Sequence, residues 1–394
     1  MSKIIMHIDL NCFFARAQVI KEPELEGKPL IIAGSTRRGI VSTASYEARK
    51  FGINSAMPTY VALRLCPKVI VRSPDFHLYH DLSEKFFYYV RKYTSIIEIA
   101  SVDECFADMT ECMKDCKDPH AFLKDLQDHL FQETKLMCSI GIGPTKFLAK
   151  MASDIKKPMC ITIIRRKDIE KTLWKLPIKD MYGVGKKTYP RLEKIGIKTI
   201  GDFARDESNE VKKTLGKFYY VLKDWAYGKG SDEVITEASD PKSIGTSTTF
   251  MFDTNDYEEI RSMIYEKAFE VSKRAQREDK IGTTVTLSIK DSDFVSKTRS
   301  ITLQMATNNL DTIYNEAIKL YDSNFNGKNI RLVGVTLSNL TDKKKYYVQM
   351  SLFDIEKHRE ECMTKLLIDE LNTKFNKKVL IKASELGGDK DEDK

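Results

Sequence analysis

The segment Ile96-Ile-Glu-Ile-Ala-Ser-Val-Asp-Glu-Cys-Phe-Ala-Asp108 carries the strongest structural signal in the chain. Apolar residues dominate it, so we expect a buried strand, and it contains the adjacent acids Asp103 and Glu104. Carboxylates inside a sheet are costly unless a positive group neutralises them. A bound divalent cation is the strongest candidate for that role.

A second segment of the same design opens the chain. Lys3-Ile-Ile-Met-His-Ile-Asp9 is a short apolar strand that ends in an acid. If the two strands lie side by side, Asp9, Asp103 and Glu104 meet at one end of one sheet. Carboxylate oxygens suit Mg²⁺ or Mn²⁺, and such ions with open coordination positions typically act on phosphates.

The length and the composition of the chain predict how many domains it has and whether it has a membrane segment. With 394 residues the chain should hold more than one domain, because single cores stop growing near about 250 to 300 residues. No apolar run approaches the roughly 20 residues of a membrane span. The first strand begins without a preceding signal-peptide segment. We therefore expect a cytoplasmic protein with no membrane segment.

The cysteine spacing argues against one kind of site, and the charge distribution suggests a kind of ligand. The eight cysteines form no CxxC pair, which predicts reduced thiols and not a zinc site. The net charge is +7, with 11 basic against 6 acidic residues in 1–75 and 14 against 10 in 169–235. These basic segments flank the acidic strands, which suits a polyanion approaching metal ions. A generic basic surface is the alternative.

Three further residues are candidates for phosphate binding. Tyr46 and Arg49 are three apart on a predicted short helix, so they share a face and could clamp a triphosphate. A solvated helix with one packed tyrosine is the alternative. Lys157 precedes Pro158 near the sheet edge and could reach a phosphate, although an ordinary loop lysine fits as well.

The order of elements predicts the architecture. Strands and helices alternate up to residue 168, which predicts a mixed sheet with helices on one face. Residues 169–235 change to short helices and glycine turns. Their Gly183-Val-Gly185 hairpin, followed by Lys186 and Lys187, predicts a helix-hairpin-helix that binds a nucleic-acid phosphate through free main-chain N–H groups.

The remainder of the chain predicts a linker, a binding domain and a tail. Residues 236–243 are small and polar, as in a linker. Residues 244–345 predict a βαββαβ, ferredoxin-like sandwich without a catalytic constellation. In the tail, 346–394, Gln349 followed by Leu352 and Phe353 is typical of a peptide that fills an apolar pocket on a partner. A last strand of the sandwich is the alternative.

Four motifs in this order resemble the Y-family translesion DNA polymerases, specifically their bacterial DNA polymerase IV branch. The resemblance runs from residue 3 to about residue 353. The motifs are His7-Ile-Asp-Leu-Asn-Cys-Phe-Phe-Ala, Ser42-Thr-Ala-Ser-Tyr-Glu-Ala-Arg-Lys-Phe-Gly, Ser101-Val-Asp-Glu, and Ser139-Ile-Gly-Ile-Gly-Pro-Thr-Lys through Lys157-Pro.

The resemblance implies an α/β (α+β) fold shaped like a right hand. Residues 1–10 and 76–168 would form the palm, 11–75 the fingers, 169–235 the helix-hairpin-helix thumb and 244–345 a separate little finger. It implies a monomeric enzyme that acts on primer-template DNA and a deoxynucleoside triphosphate (dNTP). Synthesis would have low fidelity, without proofreading.

The resemblance also implies roles for individual residues. Two Mg²⁺ ions, or Mn²⁺, would bind Asp9, Asp103 and Glu104, with help from the Leu10 carbonyl. Phe14 would be the steric gate against a 2′-OH. Tyr46, Arg49 and Lys157 would contact the triphosphate, and Gln349 to Phe353 would bind a sliding clamp.

The chain departs from the family pattern at a few positions. Asn11 stands where Asp is common, Cys105-Phe106 replace Ala-Tyr, and Met159-Cys160 replace Asn-Gly. Asn11 lies on neither expected ligand position, so we expect catalysis to be retained. The clamp peptide is internal, with about forty residues after it.

Two other functions fit parts of the sequence. A nucleotidyl cyclase also uses a palm-like sheet with two metal-binding acids, but it need not hold a duplex. A non-catalytic DNA-binding or clamp-tethered scaffold would not need Asp9, Asp103 and Glu104. Primer extension on undamaged and damaged templates separates all three functions.

Overall fold

The computed structural model describes residues 3–34, 36–237, 240–325 and 327–347, together with 367 and 371. The chain divides into two compact units, Met1–Asp240 and Pro241–Lys394. The predicted clamp peptide, Gln349 to Phe353, lies outside the described residues. Within those residues, none of the helices combines the length and the apolar character needed to span a bilayer.

The first unit alternates strands and helices along the chain. Its strands are β1 (Ile5–Leu10), β2 (Leu30–Ala33), β3 (Val41–Ala44), β4 (Ile70–Arg72), β5 (Ile97–Ile99), β6 (Glu104–Asp108), β7 (Cys138–Gly143) and β8 (Ile161–Ile163). Its helices are α1 (Phe13–Lys21), α2 (Tyr46–Arg49), α3 (Thr59–Leu65), α4 (Phe76–Arg91), α5 (Pro119–Thr134), α6 (Lys146–Ile155), α7 (Ile169–Thr172), α8 (Tyr189–Lys194), α9 (Ile200–Arg205), α10 (Asn209–Leu215) and α11 (Phe218–Ala226).

The central sheet has the strand order β5-β6-β1-β7-β8. Strand β1 pairs antiparallel with both β6 and β7, so residues of the first strand contact two segments that lie about a hundred residues further along the chain. In this register Asp9 lies opposite Glu104 on one side and Ser139 on the other. The pairing therefore brings the acids of the two predicted strands to one end of the sheet.

The segment from Ile96 to Asp108 is a hairpin and not one strand, so that prediction was wrong. Ile97 pairs with Ala107 and Ile99 with Cys105 across the β5–β6 pair. The chain turns at Ser101, whose hydroxyl donates to Asp103 Oδ1 over 2.5 Å. Such local side-chain hydrogen bonds favour a turn over a continuous strand.

Helices cover both faces of the central sheet, which corrects the prediction of one covered face. Alternate residues of β1, Met6, Ile8 and Leu10, are buried in the core that α4 and α5 complete. The opposite face of β1 meets α6, where Ile5 packs against Ala149. Because strand side chains alternate between faces, the acid-bearing face of β1 is the one turned to α6.

Glycine in β7 allows α6 to approach the sheet closely. A Cβ at Gly141 would lie 2.1 Å from the Ala149 carbonyl oxygen and 2.3 Å from the Ser153 main-chain nitrogen. Both are backbone atoms of α6, so any larger residue would push the helix away. This close packing brings α6 side chains onto the acid-bearing face of β1.

Two smaller parts complete the first unit. Strands β3-β2-β4 form a three-stranded sheet. Helix α2 directly follows β3, and its cap Ser45 accepts a hydrogen bond from the Ala48 N–H. The helices after β8 share a second core with α6, which includes Leu148 of α6 together with Phe203 and Leu222. Within them Gly183 has φ +89°, which suits the tight turn before α8.

The second unit has the βαββαβ order that was predicted. Its elements are β9 (Ser243–Thr254), α12 (Tyr257–Arg277), β10 (Lys280–Asp291), β11 (Ser296–Thr307), α13 (Leu310–Asn324) and β12 (Ile330–Asp342). The sheet order is β11-β10-β12-β9, and all pairs are antiparallel. Strands β9 and β10 run in the same direction with β12 between them, which is a split βαβ unit.

Candidate active site

The three predicted acids meet at the end of the central sheet. Asp9 and Glu104 are cross-strand partners, and the Leu10 N–H donates to the Asp103 main-chain carbonyl over 2.9 Å. Asp103 lies in the turn before β6 and Glu104 is the first residue of that strand. Residues far apart in sequence therefore form one acidic cluster, as the two-strand prediction required.

Two lysines neutralise this cluster. Lys150 of α6 lies 2.5 Å from Glu104 Oε2 and 3.6 Å from Asp9 Oδ2. Lys157, in the loop after α6, lies 2.7 Å from Asp9 Oδ1 and 2.8 Å from Asp154. Across the described residues, no group of three or more His, Cys, Asp or Glu side chains is gathered as a ready metal cage. The ammonium groups thus hold the acids where the sequence had predicted a cation.

The pKa values show how strongly these charges interact. Burial raises the pKa of Asp103, and the neighbouring carboxylates of Asp9 and Glu104 raise it further. The close contact with His7, together with Lys150, lowers the pKa of Glu104 far below its usual value. Burial alone would lower the pKa of Lys150 and Lys157, but the surrounding carboxylates raise both above the ordinary value. The acidic cluster therefore stabilises positively charged groups beside it.

A second contact holds Glu104 from the sheet side. His7 is fully buried, with Nε2 3.3 Å from Glu104 Oε2 and Nδ1 2.8 Å from the Ser153 hydroxyl. Its ring also packs against Phe106, with centroids 4.7 Å apart. Burial lowers the pKa of His7, so the ring is neutral at neutral pH. Glu104 is therefore oriented by His7 and Lys150 together.

A cleft of about 200 Å³ opens beside the acids. The predicted site residues that line it are Asp9, Leu10, Tyr46, Arg49, Asp103 and Lys157. Glu104 and Phe14 are not part of its lining. The structure thus gathers Asp9, Asp103 and the predicted phosphate ligands around one space. Glu104 on β6 and Phe14 on α1 are chain neighbours of the lining residues Asp103 and Phe13.

Tyr46 and Arg49 are packed together on α2. The guanidinium carbon of Arg49 lies 4.8 Å from the centre of the Tyr46 ring, and its Nε donates to the Ala44 carbonyl over 3.0 Å. The Tyr46 hydroxyl is buried and has no hydrogen-bond partner within the described residues. Burial raises the pKa of Tyr46 to about 12, so the hydroxyl keeps its proton and is available as a donor to a ligand.

Phe14 is the first-turn residue of α1 that the sequence singled out as a gate. Its ring stacks on Tyr79 of α4, with centroids 4.1 Å apart and planes 12° apart. Phe13 contacts both rings and lines the cleft. The stacking fixes the orientation of Phe14, because a ring held between two elements has few rotamers left.

Sequence reasoning missed several residues of this site. His7 and Lys150 contact Glu104, while Thr43 and Ser55 line the cleft. His7 is two residues before Asp9, so strand periodicity alone could have placed it on the same face. The other three depend on contacts between distant segments and carry no local signal.

Family models match three consecutive parts of the chain. The impB/mucB/samB family matches residues 8–154. The IMS family HHH motif matches residues 166–197. The impB/mucB/samB family C-terminal domain matches residues 241–352.

Curated relatives extend the similarity over nearly the whole chain. DNA polymerase IV 1 of Bacillus subtilis (strain 168) is 38% identical over 388 residues, which cover 98% of this chain and 94% of the relative. DNA polymerase IV of Bacillus velezensis is 37% identical over 390 residues, covering 97% and 93%.

Solved structures show the same fold. A Y-family DNA polymerase chimera of Dbh and Dpo4 matches with a TM-score of 0.76 and 26% identity, over 85% of this chain and 98% of that one. DinB from Sulfolobus solfataricus matches with a TM-score of 0.57 and 26% identity, over the same shares.

The fold and these matches define a polymerase of the translesion class. Within that class, the chain belongs to the DNA polymerase IV branch of the Y-family. The predicted family, the mixed α/β fold with a helix-hairpin-helix motif, and the assignment as a DNA-directed DNA polymerase are confirmed. The non-catalytic scaffold is not favoured.

Proposed function

We propose that this polymerase adds dNTPs to a primer 3′-OH by two-metal phosphoryl transfer, with low fidelity and without proofreading. The observation that carries the proposal is the meeting of Asp9, Asp103 and Glu104 beside the cleft that Tyr46, Arg49 and Lys157 line. Relatives named as polymerases and a related ternary complex support DNA and nucleotide substrates.

The donor set fits Mg²⁺, and also Mn²⁺. The carboxylates of Asp9, Asp103 and Glu104 and the Leu10 carbonyl are hard oxygen donors, and Lys150 and Lys157 show that the cluster accepts positive charge. When bound there, two such ions would supply charge neutralisation for the phosphates and a lower pKa for the primer hydroxyl. His7 and Lys150 keep the Glu104 carboxylate ionised and oriented.

The triphosphate is held by side chains of the cleft. The unpartnered Tyr46 hydroxyl donates one hydrogen bond to a phosphate oxygen. Arg49, braced by the Tyr46 ring and the Ala44 carbonyl, offers its remaining N–H groups. Lys157, which also lines the cleft, adds a third contact and the second positive charge. Together these groups would orient the α-phosphate, which supplies much of the rate in phosphoryl transfer.

Phe14 would exclude ribonucleotides. In this proposal the ring faces the sugar C2′, and the stack on Tyr79 prevents it from yielding to a 2′-OH. The exclusion is steric and does not require a hydrogen bond.

The remaining parts would hold DNA and a partner. We assign the palm to 1–10 and 76–168, the fingers to 11–75, the thumb to 169–235 and the little finger to 244–345. Main-chain N–H groups at Gly183 and Gly185, with Lys186 and Lys187, would bind a DNA phosphate. The peptide Gln349 to Phe353 would recruit a sliding clamp. The monomeric state and cytoplasmic location stay predictions.

Primer extension by purified Asp103→Ala protein tests the proposal. The variant should lose extension on undamaged and lesion-bearing templates, with Mg²⁺ or Mn²⁺, while it still binds primer-template DNA. Asp115→Ala is the matched control, because Asp115 is exposed and outside the cleft. Extension by Asp103→Ala at the control rate would remove Asp103 from the mechanism.

A further inference from the structure

Asn11 is a buried polar residue that the proposed mechanism does not use. It lies two residues after Asp9, is 1% exposed and lines the same cleft. The sequence comparison marked it as a departure, since an acid is common at this position in the family. Its contacts in the structure give it a separate role.

The side chain of Asn11 joins three distant segments. Its Oδ1 accepts a hydrogen bond from the Met159 N–H over 2.8 Å, and its Nδ2 donates to the Ser139 hydroxyl over 3.0 Å. The Ser139 oxygen also accepts from the Cys160 N–H over 3.4 Å. The Asn11 N–H donates to the Met137 carbonyl over 2.7 Å, so the main chain is fixed as well.

The segment held in this way carries Lys157. Helix α6 ends at Ile155 and β8 begins at Ile161, so residues 156–160 form the connecting loop. Asp9 and Asp154 bind the Lys157 ammonium at one end of the loop, and Asn11 and Ser139 bind the main chain at the other. The lysine therefore enters the cleft from a loop anchored on both sides.

Met159 makes this anchor necessary. Its φ is +54°, in the left-handed region that residues with a side-chain Cβ disfavour. A hydrogen bond to the Met159 N–H from a rigid, buried acceptor offsets that preference. Without the bond, the loop is expected to relax toward negative φ and to carry Lys157 out of the cleft.

We propose that Asn11 is a positioning residue for Lys157, and through it for the triphosphate of the incoming nucleotide. This inference rests on the proposed function, in which Lys157 contacts the triphosphate. The amide supplies the acceptor for Met159 and the donor for Ser139 in one side chain.

The test is a double-mutant cycle on nucleotide binding. The dissociation constant of the dNTP is measured on a primer with a dideoxy end, so that no chemistry occurs, and kcat and KM are measured on an ordinary primer. Asn11→Ala should weaken dNTP binding about tenfold, with a larger effect on KM than on kcat. The double variant with Lys157→Ala should be no weaker than Lys157→Ala alone, within about twofold.

Two further variants separate positioning from general damage. Asn11→Asp keeps an acceptor for Met159 and should recover most of the lost affinity. Met159→Gly removes the conformational penalty at φ +54° and should partly rescue Asn11→Ala. Melting temperatures identify variants that fail to fold. If Asn11→Ala fails to fold, the dNTP affinities of Asn11→Asp and Met159→Gly are compared with that of the wild type instead.

The outcomes are distinct. Three results would each overturn the positioning role of Asn11. The first is an unchanged dNTP affinity in folded Asn11→Ala, and the second is a double variant whose loss of affinity equals the product of the two single losses. The third is an Asn11→Asp variant that does not recover affinity. If the positioning role is overturned in this way but the wild-type protein extends primers, the proposed function is still supported. A wild-type protein that extends no primer at all refutes the proposed function itself.

Discussion

Replacing Gly141 by alanine should push α6 away from the central sheet. The added methyl group would lie 2.1 Å from the Ala149 carbonyl oxygen and 2.3 Å from the Ser153 nitrogen, against about 3.4 Å for an ordinary contact. Both atoms belong to the helix backbone and cannot rotate away, so α6 or β7 must move by about 1 Å. Forced overpacking of this kind costs typically 1 to 3 kcal/mol, and we expect about 3 kcal/mol here.

The same movement should reduce activity, because α6 carries the side chains that brace Glu104. Lys150 and Ser153 would move away from Glu104 and His7, whose contacts are 2.5 and 2.8 Å. The assay is denaturant unfolding of the purified protein, followed by primer extension at a temperature where the variant is folded. We expect a lower denaturation midpoint and slower extension.

Gly185→Ala is the matched control for stability. A methyl group at Gly185 meets no atom within 4 Å, and Gly185 is not among the glycines with positive φ. It should change the unfolding free energy by less than about 0.5 kcal/mol. If Gly141→Ala were as stable as Gly185→Ala, the close approach of α6 to β7 would not be a constraint on this site.

Three more predictions test individual side chains. Phe14→Ala should admit ribonucleotides, because the ring stacked on Tyr79 no longer blocks a 2′-OH; an unchanged ratio of dNTP to rNTP incorporation would exclude Phe14 as the gate. Tyr46→Phe should raise the KM for dNTP about tenfold, since a hydrogen bond to a charged group contributes roughly 1.5 to 3 kcal/mol; a KM equal to that of the wild type would show that the hydroxyl does not reach the triphosphate. Lys150→Met should lower the melting temperature, because Glu104 loses its ammonium partner, and added Mg²⁺ should restore part of the loss. A melting temperature that does not respond to Mg²⁺ would argue against a cation site at Glu104.

The side chains that form the candidate site could largely be predicted from the sequence. Acids in or beside apolar segments, Asp9, Asp103 and Glu104, indicate a site that binds positive charge where the two strands meet, because partly buried carboxylates need a positive partner. The spacing of Tyr46 and Arg49 placed both on one helix face. The order of elements in the second unit followed from hydrophobic periodicity, since period and length distinguish helices of 15 and 21 residues from the strands between them.

Other features depend on contacts that no local pattern encodes. The turn at Ser101 divides the apolar segment into β5 and β6, because side-chain hydrogen bonds there outweigh strand propensity. The position of β12 between β9 and β10 depends on pairing between β12 and β9, whose partners lie 76 (Ile330 with Thr254) to 95 (Ser338 with Ser243) residues apart. Hydrophobic periodicity alone would be equally satisfied with β12 at either edge of the sheet. The placement of α6 depends on the missing Cβ of Gly141, which matters only once a helix approaches.

The sequence by itself determined which groups are candidates for the proposed site: three acids, a tyrosine, an arginine and a lysine. Only the tertiary structure decided what holds them, namely Lys150 and His7 on Glu104 and Asn11 on the loop of Lys157. The physical reason is that residue type and periodicity fix what a segment can bury. The partners of a buried polar group are chosen by strand register and helix approach, which are properties of the assembled chain.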